Sequence, residues 1–331
     1  MSIARISAGP FVKGALSYLI PQFRNPHVDM GTANADFAYS QFLRFVILTA
    51  RAPAWQGFPT VVAEIGPGSS FAFGICALLA GAERYYALDV IEQASSARNL
   101  GMLDDLVVRF KARAPVPNDG WNARIFPFVP STDFPEHLMP DLDEMLSEAR
   151  IAQIRASLAG DGSGDMIRSY APWADHEDEV DRLPDWIVSN SVMEHVDGLE
   201  HAYQAFKRWS GPGTIMTHLI DYSAHGIAPQ WNGHWGASDL GWAITRGKRH
   251  YLINRSPHSA HLKLHAAAGF TILAEDKLRR VDGLIREDFS APFSAMSPED
   301  AGTHLAFLVS RYDGEVVSEP RSDATGNTAR P

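Results

Sequence analysis

The sequence predicts an α/β fold built on a doubly wound, mostly parallel sheet of about seven strands, with a helical N-terminal segment and an inserted lid. Two observations support this prediction. Short apolar segments alternate with helical patterns along most of residues 60–312, and the first apolar segment runs directly into a glycine turn. Alternating strands and helices are typical of parallel sheets whose strands are joined by right-handed helical crossovers.

The composition restricts the class of protein. The chain has 331 residues, of which 45% are hydrophobic and 21% are charged, and its formal net charge is −10. An acidic chain lacks the cationic surface that nucleic acids and anionic membranes attract. A single cysteine, Cys76, excludes an intrachain disulfide. No apolar run approaches the roughly 18 residues that a membrane-spanning helix requires. We therefore expect a soluble, cytoplasmic protein that binds neither nucleic acids nor membranes.

Residues 1–59 are expected to form an N-terminal helical cap segment. Asn34 is of a type that caps helix N-termini. The apolar residues after it fall on one broad face of a helix that runs to about Arg51. Pro53, Gly57 and Pro59 then interrupt the pattern. A main domain over residues 60–312 and a polar, disordered tail over 313–331 complete the predicted organisation.

The main domain is predicted to begin with a βαβ unit. Residues 61–65 are apolar and rich in β-branched side chains, which favours a strand. The turn 66–70 contains two glycines, and the small residues of 71–80 predict a helix that ends at Gly81. A second strand is predicted over 84–88, and it ends on Asp89.

The regular alternation is interrupted at residues 100–163. This segment contains six of the 21 prolines and one helical pattern, Leu142–Leu158. It is too long for an ordinary connection, so we interpret it as an inserted lid. The alternation then resumes, with strands predicted at 166–170, 186–189, 214–220, 270–274 and 304–312, and helices at 199–209 and 258–268.

The glycine turn and Asp89 together indicate a cofactor that contains a ribose. Glycines let the backbone approach a ligand, and Asp89, 23 positions after Gly66, can accept hydrogen bonds from both ribose hydroxyls. Dinucleotide-binding turns need a third small residue, and Phe71 stands at that position. S-adenosylmethionine carries no phosphate and needs fewer glycines, and Glu64 suits a site near its ammonium group. A turn with a purely structural role is the remaining alternative.

A second segment strengthens the interpretation in favour of S-adenosylmethionine. Residues 184–196, Pro-Asp-Trp-Ile-Val-Ser-Asn-Ser-Val-Met-Glu-His-Val, resemble the fourth strand and following turn of class I S-adenosylmethionine-dependent methyltransferases, whose fold is Rossmann-like. The pattern Glu64-x-Gly66-x-Gly68 resembles their first motif. The resemblance extends over about residues 60–312 and implies S-adenosylmethionine as cofactor. It implies these contacts: Gly66, Gly68 and Asp89 with the cofactor, Val90 beside the adenine, and Ser189, Asn190 and Ser191 at the methionine end.

Histidines are concentrated in the second half of the chain, where nine of the thirteen lie between His195 and His265. His218, Asp221 and His225 lie at or just after the predicted fifth strand, near the sheet edge where ligands bind in open α/β folds. An imidazole has an ordinary pKa of about 6.5 and, oriented by a carboxylate, can remove the proton of an acceptor hydroxyl. His218 or His225, oriented by Asp221, and then His195 are the candidate general bases.

Other interpretations of these residues remain open. His218 is equally expected as a hydrogen-bonded core residue, and His195 as an anchor of the turn after the fourth strand. His218, Asp221 and His225 are also of the types that bind zinc or iron. Their segment follows a strand, so helical spacing cannot be assumed, and we expect no metal. Glu194 is expected to be structural or to lie near the methionine part of the cofactor.

The predicted function is transfer of a methyl group from S-adenosylmethionine to an oxygen of a small-molecule acceptor, such as a sugar or a secondary metabolite. The predicted activity is of the EC 2.1.1 type, and a homo-oligomeric state is left open. Three alternatives remain: an N-methyltransferase, a nicotinamide-dependent oxidoreductase, which Phe71 disfavours, and a non-catalytic protein that keeps the cofactor fold as a binding or partner subunit.

Overall fold

The computed structural model of the protein describes residues 6–24, 34–120, 123–160 and 165–314. At its centre is a sheet of seven strands: β1 (Val61–Ile65), β2 (Arg84–Leu88), β3 (Ile167–Tyr170), β4 (Trp186–Asn190), β5 (Ile215–Asp221), β6 (Phe270–Arg279) and β7 (Thr303–Tyr312). The strand order is β3-β2-β1-β4-β5-β7-β6. Neighbours from β3 to β5 are parallel, and β7 is antiparallel to β5 and β6. Most of the tail predicted to be disordered, 313–331, lies outside the described residues.

This topology confirms the predicted fold class and each predicted strand. The strand order reverses between β1 and β4, and a doubly wound sheet binds ligands at the carboxyl ends of its strands beside such a reversal. β6 extends to Arg279, five residues beyond its predicted end, because it pairs with β7 along its length. A separate short ladder pairs Asp119–Gly120 with Ala123–Arg124.

Helices cover both faces of the sheet. Those of the described residues are α1 (Ala8–Leu16), α2 (Ala35–Thr49), α3 (Ala72–Ala80), α4 (Ser96–Lys111), α5 (Leu142–Met145), α6 (Glu148–Ala159), α7 (Leu199–Arg208), α8 (Asp239–Arg246), α9 (His258–Ala267) and α10 (Pro298–Gly302). One apolar cluster packs the helices from α2 through α6 against the sheet face that carries Val62 and Val188. Another packs α7 and α9 against the face that carries Ile187 and Met216. None of the described helices is both long and apolar enough to cross a membrane.

The helix predicted from Asn34 is α2, and it belongs to the main core. The Asn34 side chain accepts a hydrogen bond from the amide three residues later, at 3.0 Å, as the predicted N-cap requires. Phe42 packs edge-on against Phe73 of α3, and Phe45 packs in the same way against Phe307 of β7. Because each buried ring removes a large apolar area from water, α2 is a fixed layer of the fold.

The segment 100–163, predicted to be a lid, is in its described part another packed layer. α4 begins before the segment and buries Leu103, Leu106 and Phe110 in the main core. The single helix predicted over 142–158 is two helices, α5 and α6. The reason is that Ser147 has extended backbone angles and caps α6 by accepting a hydrogen bond from the Arg150 amide.

A buried arginine joins this layer to α2. Arg44 is fully buried, and its guanidinium donates hydrogen bonds to the carbonyl oxygens of Pro117 and Pro127 and to Asn118 Oδ1, at 2.8–2.9 Å. Separating a buried charge from its partners is strongly destabilising. Opening the segment as a lid would require this separation, so its contacts are those of fixed architecture.

The loop after α8 contacts the turn at the carboxyl end of β4, and α8 in turn packs against α1. We call residues 6–20 and 222–257 the cover. Some of their apolar residues form a small separate cluster, whereas Tyr222, Trp231 and Trp235 join the cluster that contains α7 and α9. α1 crosses α8 at very short range, because a Cβ atom on Gly14 would lie 2.1 Å from the carbonyl oxygen of Thr245. Asn254 attaches the cover to the turn after β4, since its amide donates to the carbonyl oxygen of Glu194.

Candidate active site

The glycine turn after β1 has a backbone that other residues adopt only with strain. Gly66 has a φ of +70° and Gly68 a φ of +69°, values that favour glycine. The Gly66 amide donates to the carbonyl oxygen of Leu88 at 2.8 Å, which holds the turn against the end of β2. A Cβ atom on Gly66 would lie 2.6 Å from both terminal methyl groups of Val192. The turn therefore needs glycine for its conformation and for the space beside the turn after β4.

Asp89 is held at the end of β2 with its carboxylate against this turn. Its Oδ2 accepts a hydrogen bond from the Gly68 amide at 3.0 Å, and its Oδ1 accepts one from the Val90 amide at 2.7 Å. Burial is the main cause that raises the pKa of Asp89, and these amides oppose it. A carboxylate offers about four acceptor positions, so Asp89 can still accept hydrogen bonds from a ribose. Val90 is 41% exposed beside it.

A cleft of about 140 Å³ opens beside Asp89 and Gly68. Its lining comes from the glycine turn, the loop after β2, the end of β3 and α6. These residues are Pro67, Gly68, Phe71, Asp89, Ile91, Glu92, Gln93, Ala94, Ser96, Asn99, Ser157, Leu158, Ile167, Ser169 and Ala171. The inserted layer thus contributes the wall of the cleft opposite the turn.

The amide of Phe71, the residue that precedes α3, is already used within the protein. The Phe71 amide donates to Asn99 Oδ1 at 2.9 Å. Dinucleotide-binding folds place the pyrophosphate against helix amides at this position. Asn99 occupies one such donor, and the Phe71 ring packs edge-on against Tyr85 beside it. Both features disfavour a nicotinamide dinucleotide.

Glu64 lies beneath the turn and is buried. Tyr85 donates its hydroxyl hydrogen to Glu64 Oε2 at 2.5 Å. Burial raises the pKa of Glu64 to about 8. Glu64 and Asn190 line a small cavity of about 30 Å³ on the side of the turn that faces α2. Both residues are predicted cofactor contacts, and this cavity brings them together.

Ser189 and His218 form a buried polar pair away from this edge. Ser189 Oγ and His218 Nδ1 are 2.7 Å apart, and both residues are fully buried. The His218 ring packs against those of Tyr203, Phe206 and His265, on α7 and α9. Burial is the main cause that lowers the pKa of His218 well below its ordinary value.

His218 is therefore the hydrogen-bonded core histidine, and we withdraw it as a candidate base. The physical reason is strand alternation, because successive side chains of β5 point to opposite faces of the sheet. The Ser189 side chain likewise faces α7 and α9 rather than the predicted methionine end of a cofactor. Ser191 forms the turn after β4, with a φ of +54° and its amide donating to the carbonyl oxygen of Leu219 at 2.8 Å.

Glu194 is a buried carboxyl group in the turn after β4. It is 3% exposed, and among the described residues neither carboxylate oxygen has a partner with the distance and angle of a good hydrogen bond, although the backbone amides of Glu194 and Asp221 lie near the carboxyl group. Burial, and then the nearby Asp221 carboxylate, raise the pKa of Glu194 well above its ordinary value. The backbone amides of Glu194 and Asp221 offset this shift in part. The sequence placed Glu194 only in a structural or cofactor-side role.

His195 is fixed in one tautomer by the cover. Its Nδ1 lies 2.9 Å from the carbonyl oxygen of Tyr251. Because a carbonyl oxygen only accepts, Nδ1 carries the hydrogen and Nε2 keeps a lone pair. That Nε2 is buried and has no partner among the described residues. Burial, and then His225, lower the pKa of His195 to about 4, so its ring is neutral near pH 7.

His225 and Asp221 form a pair at the end of β5. His225 Nε2 lies 3.4 Å from Asp221 Oδ2, and Asp221 Oδ1 accepts a hydrogen bond from the Ser223 amide at 2.8 Å. The His225 ring meets that of His195 edge-on at 5.1 Å between centroids. The structure thus brings together three of the four predicted catalytic residues, His195, Asp221 and His225, and adds Glu194 to them.

Sequence reasoning missed Tyr251, which connects the two parts of the site. Its carbonyl oxygen holds His195, and the Asp89 carboxylate is close enough to contribute to the raised pKa of its hydroxyl. Tyr251 has a φ of +58°, in the left-handed region. Its segment, 247–257, shows neither strand nor helix periodicity, so no sequence signal pointed to it.

Comparisons with known proteins assign no activity to the chain. No protein-family model matches the chain, and no curated protein is detectably similar to it in sequence. The S-adenosylmethionine-dependent methyltransferase from Mesorhizobium loti is 14% identical, with a TM-score of 0.36 over 83% of this chain and 97% of that one. The YcgJ protein from Bacillus subtilis is 12% identical, with a TM-score of 0.38 over 83% of this chain and 99% of that one. At identities and TM-scores this low, the likenesses assign no activity, and the strand order carries the fold assignment.

Proposed function

We propose that this chain, which has the fold of the class I S-adenosylmethionine-dependent methyltransferases, methylates an oxygen of a small-molecule acceptor with S-adenosylmethionine as cofactor. One observation carries the proposal: two groups of polar residues share one edge of the sheet. The glycine turn and Asp89 lie at the carboxyl ends of β1 and β2, and His195, Asp221 and His225 lie at those of β4 and β5. This edge is where open α/β sheets bind ligands.

The residues at the first of these positions fit the cofactor. The glycine turn leaves room for close approach, and Asp89 keeps acceptor positions for ribose hydroxyls. Glu64 and Asn190, beneath the turn, suit the amino-acid end of the cofactor. Bound S-adenosylmethionine would supply an electrophilic methyl group attached to a good leaving group.

The residues at the second position fit a hydroxyl acceptor. A hydroxyl needs help to lose its proton, whereas a neutral amine is already nucleophilic. The His225 side chain is 31% exposed, so an acceptor can reach it, and Asp221 is placed to orient the ring. His195 stands beside this pair with a lone pair on Nε2. A base and an orienting carboxylate favour an oxygen over a nitrogen acceptor.

Calorimetry with S-adenosylhomocysteine and with NAD tests the cofactor. We expect S-adenosylhomocysteine to bind and NAD not to bind. Asp89→Asn should weaken binding by about 1–3 kcal/mol, because hydrogen bonds to a charged acceptor are lost. Asp178→Asn, which changes an exposed carboxylate outside the cleft, is the matched control and should bind as the wild type does. Tight binding of NAD would overturn the proposal.

Transfer of labelled methyl groups to a panel of sugars and hydroxylated metabolites tests the acceptor class. We expect label in the acceptor only where a free hydroxyl is present. Label transferred equally well to acceptors whose hydroxyls are blocked and whose amines are free would indicate N-methylation. Binding of S-adenosylhomocysteine without transfer to any member would favour a non-catalytic protein that keeps the cofactor fold.

A further inference from the structure

We propose that Glu194, His195 and His225 bind one divalent transition-metal ion at the carboxyl ends of β4 and β5. The proposal deepens the proposed function and rests on it for the role of the ion, whereas binding of the ion can be tested separately. It goes beyond the sequence prediction, which expected no metal and considered His218 rather than Glu194 and His195 as a ligand.

The distances between the three side chains suit a common ion. One ligand atom from each lies within 4.8 Å of the other two. Nitrogen and oxygen ligands bind zinc-like ions at about 2.0–2.2 Å, so ligands of one ion lie about 3–4 Å apart. Side-chain rotations that shorten these separations by up to about 1–2 Å would bring the three atoms to that spacing. Two imidazoles and one carboxylate are a ligand set for zinc or ferrous iron, with further positions open.

Glu194 is the strongest of the three indications. A buried carboxyl group without hydrogen-bond partners costs free energy, and native proteins keep such groups where they bind an ion or take part in chemistry. Among the described residues, neither Glu194 oxygen has a hydrogen-bond partner with good geometry, and the amides of Glu194 and Asp221 approach the carboxyl group without replacing such a partner, although 97% of the residue surface is buried. The Asp221 carboxylate nearby adds like charge. A cation at this position would satisfy Glu194 and relieve the repulsion between the two carboxylates.

His195 already has the tautomer and the supporting hydrogen bond that a metal-binding histidine needs. Metal-binding histidines usually donate the hydrogen of the second ring nitrogen to a carbonyl or carboxylate, which fixes the tautomer. The Nδ1 of His195 donates to the carbonyl oxygen of Tyr251, and Nε2 is buried with its lone pair unused among the described residues. The supporting contact of a metal-binding histidine is therefore present, and it comes from the cover.

His225 opens the cluster toward the acceptor. Glu194 is buried and His195 half-buried, whereas His225 is exposed. The further positions of an ion would therefore face the side where an acceptor enters. Asp221, 3.4 Å from His225 Nε2, is placed to orient this ring or to approach the ion as a fourth ligand. We infer that the open positions take oxygen atoms of the acceptor, such as a hydroxyl or a pair of neighbouring hydroxyls.

An ion here would take over the task assigned above to the His225 imidazole. A divalent cation lowers the pKa of a bound hydroxyl and orients the molecule that carries it. None of the proposed ligands is a cysteine. Cys76 lies in α3, away from this edge.

Visible absorption of Co²⁺ and calorimetry with Zn²⁺ test the site on untagged, chelator-treated protein without any cofactor. We expect about one ion per chain, and we expect Zn²⁺ to displace Co²⁺, since both suit nitrogen ligands. Mg²⁺ should not compete, because it prefers oxygen ligands and octahedral geometry. Absence of Co²⁺ and Zn²⁺ binding at millimolar concentration would overturn the proposal.

Three variants assign the ligands. Glu194→Gln keeps the shape and removes the charge, His195→Gln removes the ring, and His225→Asn suits the left-handed φ of +46° at this position. Loss of a residue that only supports a ligand weakens metal binding by about 10–100-fold. Because these three residues would contact the ion directly, each variant should weaken Co²⁺ binding by more than that. His137→Ala, at an exposed histidine outside the cluster, is the matched control. Equal binding by folded Glu194→Gln protein and wild type would show that Glu194 is only a buried neutral acid and would overturn the site.

The two proposals fail in different ways. If S-adenosylhomocysteine binds and Co²⁺ does not, the cofactor assignment stands and the metal site is wrong. If Co²⁺ binds at these residues and S-adenosylhomocysteine does not, the metal site stands and the proposed function is wrong.

Discussion

Among single residues, Glu64 ties the stability of the fold to pH. Burial raises its pKa to about 8, the hydrogen bond from Tyr85 opposes this shift, and the Asp89 carboxylate adds to it. After burial, the Glu64 carboxylate is the next cause that raises the pKa of the Cys76 thiol on α3. The folded protein keeps a proton that the unfolded chain, with an ordinary pKa of 4.5, loses. This contribution is complete below about pH 4.5 and is lost as the pH rises through about 8.

We expect Glu64→Gln to reduce this pH dependence. The amide cannot ionise and still accepts the hydrogen bond from Tyr85, so the free energy of unfolding should fall less between about pH 5 and 8 than in the wild type. Thermal or denaturant unfolding across this range measures the difference. Glu287→Gln, at an exposed carboxyl group, should follow the wild-type curve. Parallel curves for Glu64→Gln and wild type would contradict the raised pKa.

His218 and His225 are expected to respond in opposite ways to substitution. His225→Asn should lower kcat by about 10²–10⁴, the usual value of assisted proton removal, and leave affinity for S-adenosylhomocysteine unchanged. His218→Ala should instead lower stability by about 2–5 kcal/mol, because it leaves a cavity between β5 and α9. Single-turnover rates and unfolding curves of both proteins measure this. Loss of rate with normal stability in His218→Ala would restore His218 to the site.

Residue types at strand ends could be read from the sequence, but their side-chain directions could not. Asp89, Asp221 and His225 lie at the predicted edge because strand boundaries alone place them there. His218 lies within β5, and a shift of one residue in register moves a side chain to the other face. The sequence does not single out Glu194, because a lone acidic residue in a turn is usually solvated. Only the packing of the cover shows that it is buried.

Among the elements, the turn between β1 and α3 is closely constrained by its conformation and by Val192. We expect Gly66→Ala to destabilise the protein by about 1–3 kcal/mol, because the residue would adopt a strained left-handed conformation, and to abolish binding of S-adenosylhomocysteine. Adding Val192→Ala removes the methyl groups 2.6 Å from the new Cβ and should restore part of the stability. Calorimetry and unfolding measure both effects.

Gly101→Ala is the matched control for this turn. Gly101 lies within α4, and a Cβ atom there would meet nothing within 4 Å. Alanine is the better helix former, so we expect this variant to be as stable as the wild type or more stable by up to about 1 kcal/mol. If Gly66→Ala behaved like Gly101→Ala, the turn would not be the close contact that its geometry indicates.

Elements with a regular pattern were predictable, and elements fixed by partners were not. The β-branched run of β1, the glycine turn and the Asn34 cap have local signals that the structure follows. The second half of β6 forms because β7 is available to pair with it. The division between α5 and α6 depends on whether Ser147 caps a helix or lies within one, and its sequence allows both. α1 packs against α8 from the far end of the chain, a contact that periodicity does not report.

For the molecule as a whole, mobility is expected in the cover and not in the inserted layer. Hydrogen exchange in residues 222–257 and α1 should slow when S-adenosylhomocysteine and acceptor bind together, because Tyr251 and Asn254 contact the turn that carries His195. The loop that contains Pro117, Asn118 and Pro127 should be equally protected with and without ligands, since Arg44 fixes it to α2. Slower exchange confined to 100–160 would instead identify that segment as the lid.

The position of β7 sets the order in which the two parts of the site can form during synthesis. β7 is the last strand of the described residues, yet it lies between β5 and β6. Until residues 303–312 leave the ribosome, β5 has an open edge and β6 has no neighbour in the sheet. β1, β2 and β4, which carry the glycine turn, Asp89 and Glu194, are neighbours completed more than a hundred residues earlier. A nascent chain can therefore assemble its cofactor side while its acceptor side is unfinished. The acceptor side can be completed only after residues 303–312 have been made.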